Sequence, residues 1–173
     1  MPEVRVIPIG SGVITFDSVV MPKTKGGIKF SYSTETQSVE TDQDLADVDE
    51  ILTKQTAELE APFTEADFQS LLKCFPGAVL VVDGGDPDKM RIDVPHSVGG
   101  SLKQYAKELT VAPASGHLID TLIIHSAAPI PSVEWTYEKG TQRVYTVKFK
   151  AFAKEGKPLW SMGDKTATAA GGA

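Results

Sequence analysis

The side chains most able to do chemistry are one cysteine and three histidines, and their positions argue against a catalytic or metal centre. Cys74 has no second cysteine with which to form a disulfide or a cysteine-based zinc cluster. His117 and His125 fall on one predicted strand, which would separate them by about 26 Å if it is straight. That distance prevents the pair from sharing a metal ion, and His96 stands alone in a predicted loop.

The turn sequence "DGGDPDK" offers a further set of candidate metal ligands. Asp83, Asp86 and Asp88 could supply carboxylate oxygens to calcium, but their spacing differs from that of an EF-hand loop. Asp-Gly-Gly and Asp-Pro are ordinary turn sequences, which favours a structural turn. Ser126 follows His125 without the flanking pattern of a nucleophile elbow. The sequence therefore predicts no enzyme activity, no cofactor and no metal.

The chain as a whole has the composition of a soluble globular protein. Of its 173 residues, 41% are hydrophobic and 23% are charged, and the net charge is −6. This acidic balance argues against sequence-independent binding to duplex DNA, which needs a basic surface. The N-terminal sequence lacks a signal-peptide pattern, and no apolar stretch reaches the roughly 18–20 residues that cross a bilayer. We expect no membrane contact, synthesis in a cytosol, one domain over residues 1–165 and a flexible tail over 166–173.

The elements that would position any site are mostly strands. Short β-branched and apolar segments, separated by glycine and proline, predict a mainly β fold. Roughly eight strands with one flanking α-helix and a long hairpin loop are typical of a β-sandwich or a small barrel. The predicted strands lie at 4–9, 12–17, 28–36, 50–61, 78–82, 90–94, 107–113 and 117–126, followed by a hairpin over 131–153.

The segment from 28 to 61 is predicted to form one long hairpin. "IKFSYSTET" alternates, with Ile28, Phe30 and Tyr32 on one face and polar side chains on the other. The returning segment "EILTKQTAELEA" also alternates, except that Leu52 breaks the pattern. The acidic stretch between them is far longer than the usual hairpin loop of about two to five residues. A loop of this length in a compact domain is commonly either functional or disordered, so it needs an explanation.

The segment 62–77 is the one predicted helix. Thr64 is the expected N-cap, and Asp67 occupies the capping-box position three residues later. A Pro-Gly pair ends the segment. An apolar stripe at helical spacing would cover an open end or face of the sheet. Its members are Phe68, Leu71, Leu72 and Phe75.

Residue parity sets the register of the last predicted hairpin. Val133 and Tyr145 must point to the same face, which requires a loop with an odd number of residues. A three-residue turn with Gly140 in the left-handed conformation meets that requirement. On this register, Trp135 and Tyr137 are expected to pack in the core rather than line a ligand pocket.

The order of these features resembles that of the major tail tube proteins of tailed bacteriophages, whose fold is shared with type VI secretion tubes. The similar features are a strand that ends in Asp ("GVITFD"), a Gly-rich loop ("TKGG"), a long hairpin with an acidic tip ("TETQSVETDQDLADVDEIL") and an amphipathic helix ("LEAPFTEADFQSLLKCFPGA"). The ending "YTVKFKAFAKEGKPLWSMGD" is similar to the last strand and closing turn of that family. The likeness covers nearly the whole chain but includes no invariant motif.

The resemblance implies a structural virion protein without enzymatic activity. In that family a β-sandwich or barrel assembles into six-membered rings, which stack so that their inner sheets surround a channel for DNA. The implied partners are other copies of the chain, the tape-measure, terminator and baseplate proteins and, in a contractile tail, a sheath. DNA would pass without specific binding. The implied location is the virion tail, after assembly in the host cytoplasm.

The resemblance also implies a role for each part of the long hairpin. Its wet face would line an acidic channel that repels phosphates, and its tip would contact the next ring. The residues expected to line the channel are Lys29, Ser31, Ser33, Glu35, Glu50, Lys54, Thr56, Glu58 and Glu60. The residues expected in the inter-ring loop are Asp42, Gln43, Asp44, Leu45, Asp47 and Val48.

Other functions remain open from the sequence. One is a different tail component of the same fold, such as a tail terminator or a baseplate ring protein. Those proteins need a single ring, so a long stacking loop counts against them. Another is an unrelated ligand-binding β-sandwich, and an enzyme is the least favoured of the alternatives.

Overall fold

The structure is a computed structural model that describes residues 10–39, 49–64, 67–96, 99–134 and 137–168. Within these ranges the protein is mainly β, with ten strands and one α-helix, as the sequence predicted. Short 3₁₀ helices occupy Leu102–Tyr105 and Leu118–Asp120. The other elements are β1 Gly12–Phe16, β2 Val19–Val20, β3 Lys29–Val39, β4 Asp49–Phe63, α1 Phe68–Cys74, β5 Val79–Val82, β6 Met90–Asp93, β7 Lys107–Pro113, β8 Leu122–Val133, β9 Tyr145–Ala151 and β10 Trp160–Met162.

The main sheet is antiparallel and folds over on itself at β8. Its order is β2–β1–β7–β8–β9–β4–β3, and β10 also pairs with β8, while β5 and β6 form a separate hairpin. The first residues of β8 pair with β7 and β10, and its later residues pair with β9. The register of β7 against β8 shifts between Lys107 and Leu109, as a β-bulge does where a strand bends. The result is sandwich-like, and the sheet does not close into a barrel.

The core lies between the two layers that β8 connects. Leu59 of β4 and Phe149 of β9 are fully buried on one layer, and Phe16 of β1 is buried on the other. The rings of Phe16 and Phe149 lie 5.1 Å apart, although β1 and β9 are not neighbours in the sheet. Their contact therefore joins the layers. Burial of each such side chain contributes about 1.5–3 kcal/mol to folding.

The β1–β2 turn connects this core to the helix. Asp17 and Ser18 both have positive φ angles, 49° and 65°, which a two-residue type I′ hairpin turn requires. The carboxylate of Asp17 accepts a hydrogen bond from the ammonium group of Lys73 in α1. The Asp that ends "GVITFD" thus has a structural partner on the helix.

The helix begins later than the sequence predicted. β4 continues in extended conformation through Phe63, where it pairs with β9, so the predicted N-cap at Thr64 is wrong. Thr64 instead donates both its backbone N–H and its hydroxyl to the carbonyl oxygen of Lys23. The N-cap is Asp67, whose carboxylate accepts from the backbone N–H of Ser70 at 2.8 Å. Pairing with β9 overrides the helical pattern over the first residues of this segment.

The buried side of α1 differs in part from the predicted stripe. Ser70 and Cys74 are fully buried, Leu71 and Phe75 pack against the core, and Phe68 is exposed. Burial, with a smaller effect of the Asp67 charge, raises the pKa of the Cys74 thiol to about 12. At neutral pH this cysteine is therefore a protonated core side chain.

The β8–β9 hairpin has the predicted register but a longer loop. Val133 pairs with Tyr145, and Gly140 has a φ of 86°, as predicted. Strand pairing ends at Val133, so the three-residue turn is wrong. Tyr137 is 78% exposed, and the guanidinium of Arg143 lies 4.7 Å from its ring centroid. The predicted core position of Tyr137 is therefore wrong, and Trp135 lies outside the described residues.

Candidate functional surface

The long hairpin forms as predicted and lies at one end of the sheet. β3 and β4 pair from Lys29 opposite Glu60 to Val39 opposite Asp49. β4 also pairs with β9, but only over Glu58–Phe63. We call the part beside β9 the base, which comprises Lys29–Tyr32 and Ala57–Phe63. We call the rest, Ser33–Val39 and Asp49–Thr56, the ribbon.

A β-bulge in the ribbon explains the one break in the sequence pattern. Glu35 pairs with Lys54, but the next residue, Thr36, pairs with Leu52, which leaves Thr53 as the extra residue. Beyond Thr53, even-numbered residues of β4 therefore point to the face that carries Tyr32. Leu52 breaks the alternation for this reason.

The same bulge removes Glu50 from the predicted channel-lining set. Glu50 pairs with Ser38 and lies on the face opposite to that of Glu58 and Glu60. Its carboxylate accepts a hydrogen bond from the hydroxyl of Thr36 at 2.9 Å. The prediction that Glu50 shares a surface with the other eight residues is therefore wrong.

The remaining eight predicted residues do share one solvent-facing surface of the sheet. Tyr145, Val147 and Phe149 of β9 are buried in the core, so the residues that alternate with them point to this surface as well. Sequence reasoning missed these β9 residues, although the alternation of "YTVKFKA" was sufficient to find them. We call this surface the polar face. Its polar and charged members are Lys29, Ser31, Ser33, Glu35, Gln37, Asp49, Lys54, Thr56, Glu58, Glu60, Thr146, Lys148 and Lys150, and the apolar Val39 and Ile51 of the ribbon lie on the same face.

The charges of the polar face are balanced rather than acidic. Lys148 lies beside Glu60, and Lys150 lies beside Glu58. With Lys29 and Lys54, four lysines face four carboxylates, the others being Glu35 and Asp49 at the ribbon. The expectation of an acidic wall is thus corrected for the described part of the hairpin, because β9 contributes two cations.

The ion pairs on this surface are few. The Lys54 ammonium lies 2.9 Å from a carboxylate oxygen of Glu35, and both side chains are well exposed. Over the described residues, Lys29, Lys148 and Lys150 form no ion pair within 4.0 Å of Glu58 or Glu60. These lysines are register neighbours of carboxylates without pairing with them, and Lys29 and Lys148 are exposed.

The ribbon projects from the body and is exposed on both faces. Phe30 and Tyr32 still contact the Trp160 ring of β10, with centroid distances of 5.3 and 5.5 Å. Beyond them, Ile51 and Leu52 are 54% and 50% exposed, on opposite faces of the ribbon. A two-stranded ribbon without a packed face is marginally stable in water.

The outer edge of β3 carries no partner strand among the described elements. β3 is the last strand in the sheet order and has eleven residues, Lys29–Val39. The opposite end of the order is the two-residue β2. A long free edge presents unpaired N–H and C=O groups that can bind another chain. The predicted inter-ring residues Asp42, Gln43, Asp44, Leu45, Asp47 and Val48 lie outside the described residues, in the segment between Val39 and Asp49.

The candidate chemical groups of the sequence do not assemble into a centre in the described structure. Nε2 of His125 lies 2.8 Å from the Ser161 hydroxyl, and burial lowers the pKa of this imidazole despite the nearby Glu108 charge. His117 precedes a 3₁₀ helix, so the predicted strand over 117–126 begins only at Leu122. The described ranges contain no cluster of three or more potential metal ligands.

The aspartate-rich segment forms a turn, as predicted. Oδ1 of Asp83 accepts from the backbone N–H groups of Gly85 and Asp86, both at 2.9 Å. Oδ2 of Asp86 lies 3.1 Å from the Lys89 ammonium. Hydrogen bonds within the turn thus account for these carboxylates.

Comparisons with known proteins return no assignment. No protein-family model matches this chain. No curated protein matches it significantly. In the described ranges, no helix has the length and apolar character needed to span a membrane.

Proposed function

We propose that this protein is a structural subunit that assembles into stacked, six-membered rings and forms the tail tube of a bacteriophage. The observation that carries the proposal is the ribbon, which extends far beyond the layer it pairs with and has a free edge along β3. A monomeric protein gains little from a long strand pair that is exposed on both faces. An assembling protein gains a strand edge and two faces for neighbouring copies.

The polar face supports a position on the channel wall. Its strands are backed on the other side by a core that includes Leu59, Val147 and Phe149. A sheet with one buried and one polar face can form a rigid wall towards a water-filled channel. Balanced charge along this wall would let DNA pass without being retained.

The proposal includes partners and a location. The subunit would contact other copies of itself within and between rings, and the tape-measure, terminator and baseplate proteins at the tube ends. A sheath would be a further partner in a contractile tail. The tube would assemble in the host cytoplasm and function in the virion tail.

Negative-stain electron microscopy of the purified full chain tests the proposal directly. We expect rings or tubes with a central channel, which grow longer as protein concentration rises. Single rings that never stack would favour a tail terminator or baseplate ring protein. A monomer at all concentrations and ionic strengths would contradict the tube function.

The stacking role of the hairpin tip can be separated from folding. Replacing residues 40–48 with Asn-Gly would close the ribbon directly between Val39 and Asp49, because this dipeptide forms the two-residue turn that matches strand twist. We expect an unchanged thermal midpoint and rings that do not stack. As a control, Lys139→Ser alters another exposed loop while keeping Gly140 in its left-handed conformation, and it should leave stacking intact.

A ligand-binding module is the competing function outside virion assembly. The structure contains a cavity of about 410 Å³ whose lining includes Ile28, Phe30, Leu59 and Val111. An apolar dye would bind there with saturation if this function were correct. Phe30→Asp should abolish that binding, whereas the tube proposal predicts no specific small ligand.

A further inference from the structure

We infer that the polar face is a contact surface for the phosphates of duplex DNA, with lysines from β3 and β9 making the contacts and Glu58 and Glu60 keeping them weak. This inference rests on the proposed function for its biological setting, but the surface can be tested on the unassembled subunit. It assigns a role to Lys148 and Lys150, which sequence reasoning did not include.

The sheet register places these charges in two rows across three strands. In one row, Glu60 lies between Lys29 and Lys148. In the next, Glu58 lies between Ser31 and Lys150. Neighbouring strands are about 4.8 Å apart and alternate residues about 6.8 Å apart, so all five charges lie within a small area.

Two of the three lysines in these rows are exposed and available to an external anion. Lys29 and Lys148 are exposed, whereas Glu58, Glu60 and Lys150 are partly buried. A shallow cavity of about 150 Å³ lies among Lys29, Ser31, Glu58, Glu60 and Lys148. The side chains of Lys29 and Lys148 are therefore more accessible to a phosphate than those of Glu58 and Glu60.

The carboxylates limit how long such a contact lasts. Lysines that bind phosphates release counterions from DNA and create affinity that falls steeply with salt. A carboxylate beside each lysine attracts the same ammonium group and repels the phosphate, so the two effects oppose each other. The wall then exchanges contacts with DNA instead of holding it or excluding it.

Removing the carboxylates should expose the lysine contacts. In the double variant Glu58→Gln, Glu60→Gln, we expect affinity for a fluorescent duplex of random sequence to rise at least about tenfold at low salt, as measured by anisotropy at subunit concentrations that do not assemble. The logarithm of affinity should fall with the logarithm of salt with a slope of about −3, which corresponds to three or four phosphates. Adding Lys148→Gln and Lys150→Gln should reverse the gain.

Two controls make this result specific to the surface. Glu138→Gln, Glu155→Gln removes two exposed carboxylates elsewhere and changes the net charge by the same amount. We expect no gain in DNA affinity from it. Equal gains in the two double variants, or a gain that survives loss of Lys148 and Lys150, would overturn the inference.

Failure of this inference and failure of the tube proposal give different results. Tubes in the microscope together with no surface-specific gain in affinity would reject the DNA contact surface alone. A persistent monomer whose Glu58→Gln, Glu60→Gln variant binds DNA as described would reject the tube and retain the surface. Circular dichroism of each variant should match the wild type, since the substituted side chains lie outside the core.

Discussion

The base and the ribbon belong to the same two strands, yet they have opposite environments. In the base, β4 pairs on both sides, and Ala57, Leu59, Ala61 and Phe63 are fully buried. In the ribbon, each strand pairs only with the other, and the larger apolar side chains remain half exposed. The base is therefore part of the fold, whereas the ribbon is an extension that the fold does not need.

This difference indicates where stability and assembly are located. Apolar burial contributes about 25 cal/mol per Å², so the fully buried base side chains contribute far more than the half-exposed ribbon side chains. The backbone ladder is present in both regions, but it needs a packed face to be stable. Substitutions in the base should therefore unfold the protein, and substitutions in the ribbon should affect its association with other chains.

The largest expected effect is a core truncation beside the base. Phe149→Ala removes a buried ring that contacts Phe16, and we expect a loss of about 3–5 kcal/mol in the free energy of unfolding, measured by urea denaturation. The matched ribbon variant, Leu52→Ala, should cost less than about 1 kcal/mol. Similar losses in the two variants would mean that the ribbon is packed in the free subunit, which would contradict the difference between base and ribbon.

The next effect concerns the helix whose Leu71 and Phe75 pack against the core behind the base. Asp67→Ala removes the N-cap and should cost about 1 kcal/mol at neutral pH. Partial burial alone would raise the pKa of Asp67, but hydrogen bonds from the Ser70 hydroxyl and backbone outweigh it, and the pKa lies below its ordinary value of 3.8. The stabilising contribution is thus complete above that value and is lost as pH falls through the folded pKa.

A pH series of urea denaturation checks the sign of this effect. The difference between wild type and Asp67→Ala should shrink as the pH falls below about 4. Asp67→Asn provides the control, because asparagine also caps helices but does not titrate. A difference that grows on acidification would contradict the assignment of Asp67 as an ionised cap.

The sequence predicts the parts of the fold that depend on neighbouring residues and fails for the parts that depend on distant strand pairing. Alternation predicted the base strands and the register of Val133 opposite Tyr145, because side-chain direction follows from parity. The late start of α1 after Phe63 was not predictable, since it depends on the pairing of Phe63 with Tyr145, which is far away in the chain. Tyr137 was misplaced because parity fixes a register but not the residue at which pairing ends.

The candidate surface was predictable to a similar extent. Eight of nine proposed wall residues share the polar face because simple alternation holds up to Lys54. The bulge places Glu50 on the opposite face of the ribbon. The break in alternation at Leu52 was the one indication of the bulge in the sequence. Lys148 and Lys150 were missed because only the β3–β4 hairpin was considered, whereas the surface also includes the neighbouring strand β9.

The bulge in the ribbon allows a smaller test of the difference between base and ribbon. Deleting Thr53 would remove the bulge while Leu52 stays opposite Thr36 and Glu50 stays opposite Ser38, so the ribbon would lose the local bend and twist of the bulge without turning any side chain over. We expect a change of less than about 0.5 kcal/mol in the free energy of unfolding, because no packed layer covers the ribbon, together with loss of ring or tube assembly in electron micrographs. Thr53→Ala keeps the bulge residue and loses only the hydrogen bond to the Glu35 carbonyl, so assembly should persist.

The smallest expected effect compares one ion pair from each environment. In the ribbon, the side chains of Lys54 and Glu35 are 59% and 62% exposed. Beside the core, the side chains of Lys73 and Asp17 are 38% and 32% exposed. Double-mutant cycles should give a coupling of about 0.2–0.5 kcal/mol for the ribbon pair, since water and salt screen it. The coupling of Lys73 with Asp17 should be larger and should persist at 1 M salt, because partial burial reduces screening. A stronger coupling for Lys54 with Glu35 than for Lys73 with Asp17 would indicate that the ribbon is rigid in the free subunit. In that case, folding and assembly would not be separated along β3 and β4.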